Sequence, residues 1–145
     1  MGIDDDAVEI RALGWRRLTA LHGLIEQDLE RALTGEHDLS VVEFTVLDAL
    51  SRHDGWHMRM QQLARAAALS SSATTRLEGR GLLQRCICPD DRRGIYTELT
   101  AVGSRLLAEA RPTHDRTLHD TLERATEQPE LAPLVSALNR QFAIA

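Results

Sequence analysis

The sequence predicts a mainly α-helical protein with one small β element, and three observations predict it. Apolar residues recur every three or four positions over most of the chain, the period of an amphipathic helix. One stretch breaks that rhythm: between Leu82 and Leu99, two short strand-like runs flank a cluster of Pro, Asp, Arg and Gly, the pattern of a β-hairpin whose tip carries arginines. Immediately before it lie two short helical patterns separated by a tight turn.

Taken in order, Asp4-Asp5-Asp6 reads as a helix start, since acidic side chains are favoured at the positive end of the helix dipole. Ile10, Leu13, Leu18, Leu21, Leu24, Ile25, Leu29, Ala32 and Leu33 then trace one long amphipathic helix, with Gly35 placed to cap its end. Ser40 is an N-cap for a helix through Val42, Phe44, Val46, Leu47 and Leu50, and Glu43, three residues on, completes a capping box. His53-Asp54-Gly55 ends that helix. Met60, Leu63, Ala64 and Ala67 line one face of the next, which Arg59 begins, and Ala68-Leu69 turns the chain. Ser70 can accept from a free backbone N–H and so opens a helix from Ser71 to about Arg80. Ala73, Thr74 and Leu77 share its inward side, which leaves Ser71, Ser72, Thr75 and Arg76 outward.

After the hairpin, Thr100 or Ser104 starts a helix carrying Val102, Leu106, Leu107 and Ala110, whose stripe continues through Leu118, Leu122 and Ala125 past Pro112. Pro129-Glu130 opens a last helix through Leu131, Leu134, Val135, Leu138 and Phe142, because proline is well tolerated at a first helical position.

Helix, tight turn, second helix with a hydroxyl-rich and arginine-bearing outer face, then an arginine-tipped hairpin is an order that resembles a winged helix-turn-helix. Leu39 to Leu47, Gln62-Leu63-Ala64, Arg80-Gly81-Leu82-Leu83, Asp91-Arg92-Arg93-Gly94 and Leu99-Thr100-Ala101-Val102-Gly103 together resemble the MarR family of bacterial transcription regulators, over nearly the whole chain. The resemblance implies six helices with a two-stranded wing. It implies a single domain, 1–145, in which about 39–100 form a DNA-binding lobe and about 5–34 and 101–145 supply dimerisation helices. It also implies a homodimer on a near-palindromic site in double-stranded DNA, repression, and a small-molecule effector. In that frame Ser70, Ser71, Ser72, Thr75 and Arg76 face the major groove, Arg93 enters the minor groove beside Arg92, and Asp91 orients the Arg93 guanidinium; Arg59 is placed either to reach a phosphate or simply to be solvated. Against the family pattern, about one helical turn (~3.6 residues) is missing between Arg76 and Glu78.

A chain of 145 residues suits one domain. Its net charge of −5 by itself argues against a polyanionic partner and leaves a rival reading, a winged-helix module that binds protein and not DNA. The distribution argues the other way. Residues 1–51 carry four Arg against eleven Asp or Glu, 52–105 nine against five, and 106–145 four against six, so positive charge concentrates where the helix-turn-helix and wing lie. Every basic residue is Arg, whose planar fork donates in pairs to phosphates and base edges.

Cys86 and Cys88 stand two apart on a strand, and their spacing is not that of a Cys-x-x-Cys motif, so a partly buried structural pair is expected ahead of a redox sensor; peroxide-sensing relatives carry their reactive Cys in the first helix. His114 and His119, five apart, do not share a helix face as metal ligands four apart would, and Glu36-His37 with His114 lacks recognisable companions. Trp15, His22 and Phe44 are candidates for lining an effector cleft, with core packing the better explanation of each. A nucleophile elbow, a phosphate loop and a His-Glu-x-x-His helix are all missing from the sequence, so catalysis and a cofactor are not expected. With no apolar run of membrane length and no signal-peptide pattern, a cytoplasmic protein is expected.

Overall fold

A computed structural model describes residues 4–52, 57–59, 71–88 and 91–141. Its elements are α1 (Asp5–His37), α2 (Val41–Arg52), β1 (His57–Arg59), α3 (Ser71–Gly79), β2 (Leu83–Cys88), β3 (Asp91–Leu99), α4 (Ala101–Ala125) and α5 (Ala132–Gln141). The first helix of the expected helix-turn-helix, its turn at Ala68-Leu69 and the N-cap Ser70 lie outside the described residues. Contacts divide the chain into a terminal unit, residues 1–31 with 115–145, and a central unit, residues 32–114. Among the described residues, no helix is long and apolar enough to cross a membrane.

The helix α1 starts as its acidic run predicts, with the Asp4 carboxylate accepting from the Asp6 N–H at 3.3 Å. Its end differs from expectation. The helix runs through Gly35 and stops two residues later, where Asp38 takes the left-handed conformation (φ 53°) and its N–H returns to the Thr34 carbonyl. Aspartate tolerates that conformation better than most non-glycine residues, and the extension carries Glu36 and His37 onto the last helical turn. The α2 start is the expected capping box: the Ser40 Oγ accepts from the Glu43 N–H and the Glu43 carboxylate from the Ser40 N–H, both at 3.0 Å.

The expected two-stranded wing is the antiparallel pair β2 and β3, and β1 adds a third antiparallel strand, giving the order β1-β3-β2. Three residues of β1 are too few to show an alternating pattern, so this strand leaves no periodic trace in the sequence. Arg59 accordingly does not begin a helix; it closes β1 opposite Tyr96. The pairing of β2 with β3 runs regularly from Leu83↔Leu99 to Ile87↔Ile95 and then jumps to Cys88↔Asp91, so residues 92–94 form an excursion of β3 against a single step of β2.

Thr100 is the N-cap of α4: its Oγ1 accepts from the Gly103 N–H at 3.0 Å and donates to the Gly81 carbonyl at 2.7 Å. The helix passes through Pro112, which has no N–H to offer the Ala108 carbonyl. The last helix begins later than Pro129-Glu130 suggested. Residues 126–131 form a turn in which the Gln128 carbonyl accepts from Leu131 and Ala132, and Pro133 occupies the first turn of α5.

In the terminal unit Leu21, Ala125, Leu131 and Val135 form a buried cluster with Ile25, Leu122 and Leu134 packed against it. The Asp28 carboxylate joins it from the polar side, accepting from the Thr121 hydroxyl at 2.7 Å and from Arg124. In the central unit the buried side chains include Leu39, Phe44, Val46, Leu47, Leu50, Ala73, Leu77, Leu82, Leu83 and Leu107. Phe44 is core, as expected, and its ring stacks on His114 with centroids 4.3 Å apart. Trp15, 68% exposed, and His22, exposed beside Glu26, are not.

Candidate nucleic-acid interface

The helix α3 is nine residues long and unbroken across Thr75 to Gly79. Ala73, Thr74 and Leu77 are buried, and Ser72, Thr75 and Arg76 are exposed, the partition expected from the helical period. The exposed row presents two hydroxyls, which donate and accept, and a guanidinium, which donates only; that mixture suits base edges and phosphates. The backbone of Ser71 begins the helix, and its side chain lies outside the described parts, as do those of Arg59, Asp91, Arg92 and Arg93.

A Schellman turn ends α3. Gly81 is left-handed (φ 73°), its N–H returns to the Glu78 carbonyl at 3.0 Å, and the Leu82 N–H returns to the Leu77 carbonyl at 3.0 Å. The chain thereby turns straight from the helix into β2, and the Glu78 carboxylate ties the two together through Arg85 Nε at 2.8 Å. Further along the hairpin the Gln84 amide donates to Glu98 on the neighbouring strand. The excursion at 92–94 lies at the far end of this ribbon, so Arg92 and Arg93 sit where the backbone departs from regular pairing, beside Asp91. Cys86 is half-buried on β2, and Cys88 shares that strand.

Two polar groups without a site role assigned from the sequence hold α3's surroundings. Arg80, just past the helix, donates through Nη1 to the Asp38 carbonyl at 2.7 Å and lies 3.4 Å from Glu43 Oε2. Asp48 on α2 receives Arg111 Nη2 at 2.8 Å from α4 and Arg52 Nε at 2.9 Å from its own helix. Burial pushes the Asp48 carboxyl up, but the hydrogen bonds and positive charge of Arg52 and Arg111 outweigh it and hold the group below its ordinary value of 3.8. A carboxylate depressed in the folded state contributes stability in full above its unfolded value and loses it as pH falls through the folded one. Asp48→Asn is therefore expected to lower stability at pH 7 by about 1–3 kcal/mol. In urea melts the gap from the parent protein should close below pH 4; a gap independent of pH would show that the charge of Asp48 is not what matters.

Glu36 and His37, expected in a loop, meet Thr113 from the last turn of α1: the Thr113 hydroxyl donates to Glu36 at 2.9 Å, so at 2.7 Å His37 Nε2 must be the donor to it. No group of three or more His, Cys, Asp or Glu side chains with metal-binding geometry occurs among the described residues.

A model of the MarR family matches residues 37–94. The transcriptional regulator HosA of Escherichia coli O111:H- is 32% identical over 125 residues, 79% of this chain and 90% of that one. Among solved structures, AbsC, a MarR family transcriptional regulator from Streptomyces coelicolor, is 27% identical with a TM-score of 0.71, over 95% of this chain and 93% of the other. Sco3205, a MarR family regulator of the same organism solved in complex with DNA, is 26% identical with a TM-score of 0.69, over 90% and 88%. A MarR family regulator from Silicibacter pomeroyi gives 25% identity and a TM-score of 0.73, over 94% and 95%.

Proposed function

This chain belongs to the MarR family of transcription regulators, DNA-binding proteins and not enzymes, and from that premise we propose that it is a cytoplasmic, ligand-responsive repressor that binds a near-palindromic operator as a homodimer. One observation carries the reading: the exposed row Ser72, Thr75 and Arg76 stands on a helix that a left-handed glycine turns directly into an arginine-bearing hairpin. A helix in the major groove and a hairpin tip in the adjacent minor groove would use those two surfaces together. Ser70, Ser71, Ser72, Thr75 and Arg76 are assigned to the major groove, Arg59 to a phosphate, and Arg92 and Arg93 to the wing contact, with Asp91 orienting Arg93.

An apolar stripe on the terminal unit supports the dimer. Ile10 and Leu18 fall on the same side of α1 as the covered Leu21 and Ile25, yet they are 70% and 47% exposed. The effector is assigned by family membership, as a small molecule that lowers affinity for the operator.

Enrichment of bound duplexes from a random pool tests the reading. The expected product is an inverted repeat with half-sites centred about 10–10.5 base pairs apart or a multiple of it. Failure to enrich any sequence would sink it. On the selected duplex, Arg93→Ala is expected to weaken binding by about 1–3 kcal/mol and to reduce the salt dependence, with Asp91→Ala weaker in effect. Unchanged affinity in Arg93→Ala would mean that the wing does not touch DNA.

A further inference from the structure

The helix α3 has little packing to hold it. Of its described side chains only Ala73, Thr74 and Leu77 are buried, and one of those is a methyl group and another a hydroxyl-bearing residue. A helix that reads base edges must nonetheless be held to a fraction of an ångström, which calls for a directional tie beyond apolar contact.

Arg80 supplies one. Its Nη1 donates to the main-chain carbonyl of Asp38 and approaches Glu43 Oε2, and its Nη2 lies 3.6 Å from the exposed Asp38 carboxylate. The Glu43 side chain is 10% exposed, and its other oxygen is already engaged by the Ser40 N–H of the capping box. Glu43 therefore spans two jobs, start of α2 and anchor of Arg80. The Asp38 carbonyl is fixed in turn, because the left-handed turn that presents it follows immediately on Glu36 and His37, which are held to Thr113 of α4. All of these residues belong to the central unit.

We infer that Arg80 is a positioning residue for DNA recognition: its clamp on Asp38 and Glu43 sets the orientation of α3, and it makes no contact with DNA itself. The inference rests on the DNA-binding reading above and adds to it a route by which a disturbance of the α1 end reaches the recognition helix. The charge of Arg80 is already matched by Glu43 and its fork is directed at two acceptors within the protein, which is the use of guanidinium that lysine cannot copy.

Measure binding of the enriched duplex by fluorescence anisotropy over a range of salt concentrations, with amide hydrogen exchange of α3 in the absence of DNA. Arg80→Gln should weaken binding about tenfold at each salt concentration with the slope of log affinity against log salt unchanged, and should speed exchange in residues 72–79. Arg80→Lys should rescue little. Glu43→Gln, which keeps the capping-box acceptor but removes the charge, should show the same pattern at smaller amplitude, and it decides the matter if Arg80→Gln does not fold. A slope reduced by about 0.9, with rescue by lysine, would show a phosphate contact and overturn the inference. So would unchanged affinity in Arg80→Gln, or in Glu43→Gln where that variant decides. If the parent protein bound no duplex, the DNA-binding reading would fail first, and unchanged α3 exchange in Arg80→Gln would remove the clamp independently of it.

Discussion

Gly103→Ala is expected to destabilise the central unit by about 3 kcal/mol or more, enough to abolish folding in a marginal domain. Ordinarily the change would help, since alanine is about 1 kcal/mol better than glycine inside a helix. Here a Cβ would lie 2.0 Å from the Leu82 carbonyl oxygen and 2.9 Å from Leu99 Cδ1. The oxygen cannot swing aside, because it accepts from the Thr100 N–H, and the Leu82 N–H is committed to closing α3. Relief would need the first turn of α4 to lift away from the junction of α3 and the hairpin. Gly79→Ala is the control: a Cβ at that position on α3 would meet nothing within 4 Å, so its stability should match or exceed the parent's. Urea midpoints decide it. Equal midpoints for Gly103→Ala and the parent would mean that the close approach is not required.

Leu18→Asp is expected to convert the protein to a monomer and to lower operator affinity by about a hundredfold or more, because joining two half-site readers raises apparent affinity by roughly 10²–10⁴. Leu18 stands where the buried stripe of α1 runs out into solvent, and Leu13 and Leu24 on the same helix line a cavity of ≈ 550 Å³ with Leu131. A carboxylate placed in the middle of an apolar interface must be desolvated without a partner. Sedimentation should report close to twice 16.2 kDa for the parent and the single mass for Leu18→Asp. A monomeric parent at micromolar concentration, or an undisturbed dimer in the variant, would defeat the assignment of this surface.

What the sequence made legible was what neighbours within four residues decide. The capping box of Ser40 and Glu43, and the inward face of Ala73, Thr74 and Leu77, follow from local chemistry. Gly35 misled because a glycine near a helix end reads as its stop, whereas contacts from Glu36 and His37 to Thr113, 77 and 76 positions away, reward another turn. Pro129 misled in the same way, as a helix opener, when the Gln128 carbonyl is used to build a turn around it. Arg80 and Gly103 stand in stretches that carry the family resemblance, but their structural roles are not local, since Arg80 meets Asp38 and Glu43, and Gly103 meets Leu82. Nor does a long apolar stripe say which part of it is covered: α1 shows one period throughout, yet Leu21 is buried and Leu18 is not.

The irregular end of the hairpin separates two things that a plain ribbon would couple. In a regular pair of strands, adding or removing one residue turns every later side chain to the opposite face. Here Leu83 to Ile87 are locked against Ile95 to Leu99, and residues 92–94 are taken up in one step of the partner strand before Cys88 meets Asp91. Length can change inside that step without moving Leu83 or Leu99, both buried, from the face they occupy. The tip is thus free to lengthen, shorten and re-aim its arginines over generations while the base keeps its register, so the length and aim of the hairpin tip can evolve apart from the stability of the fold that carries it.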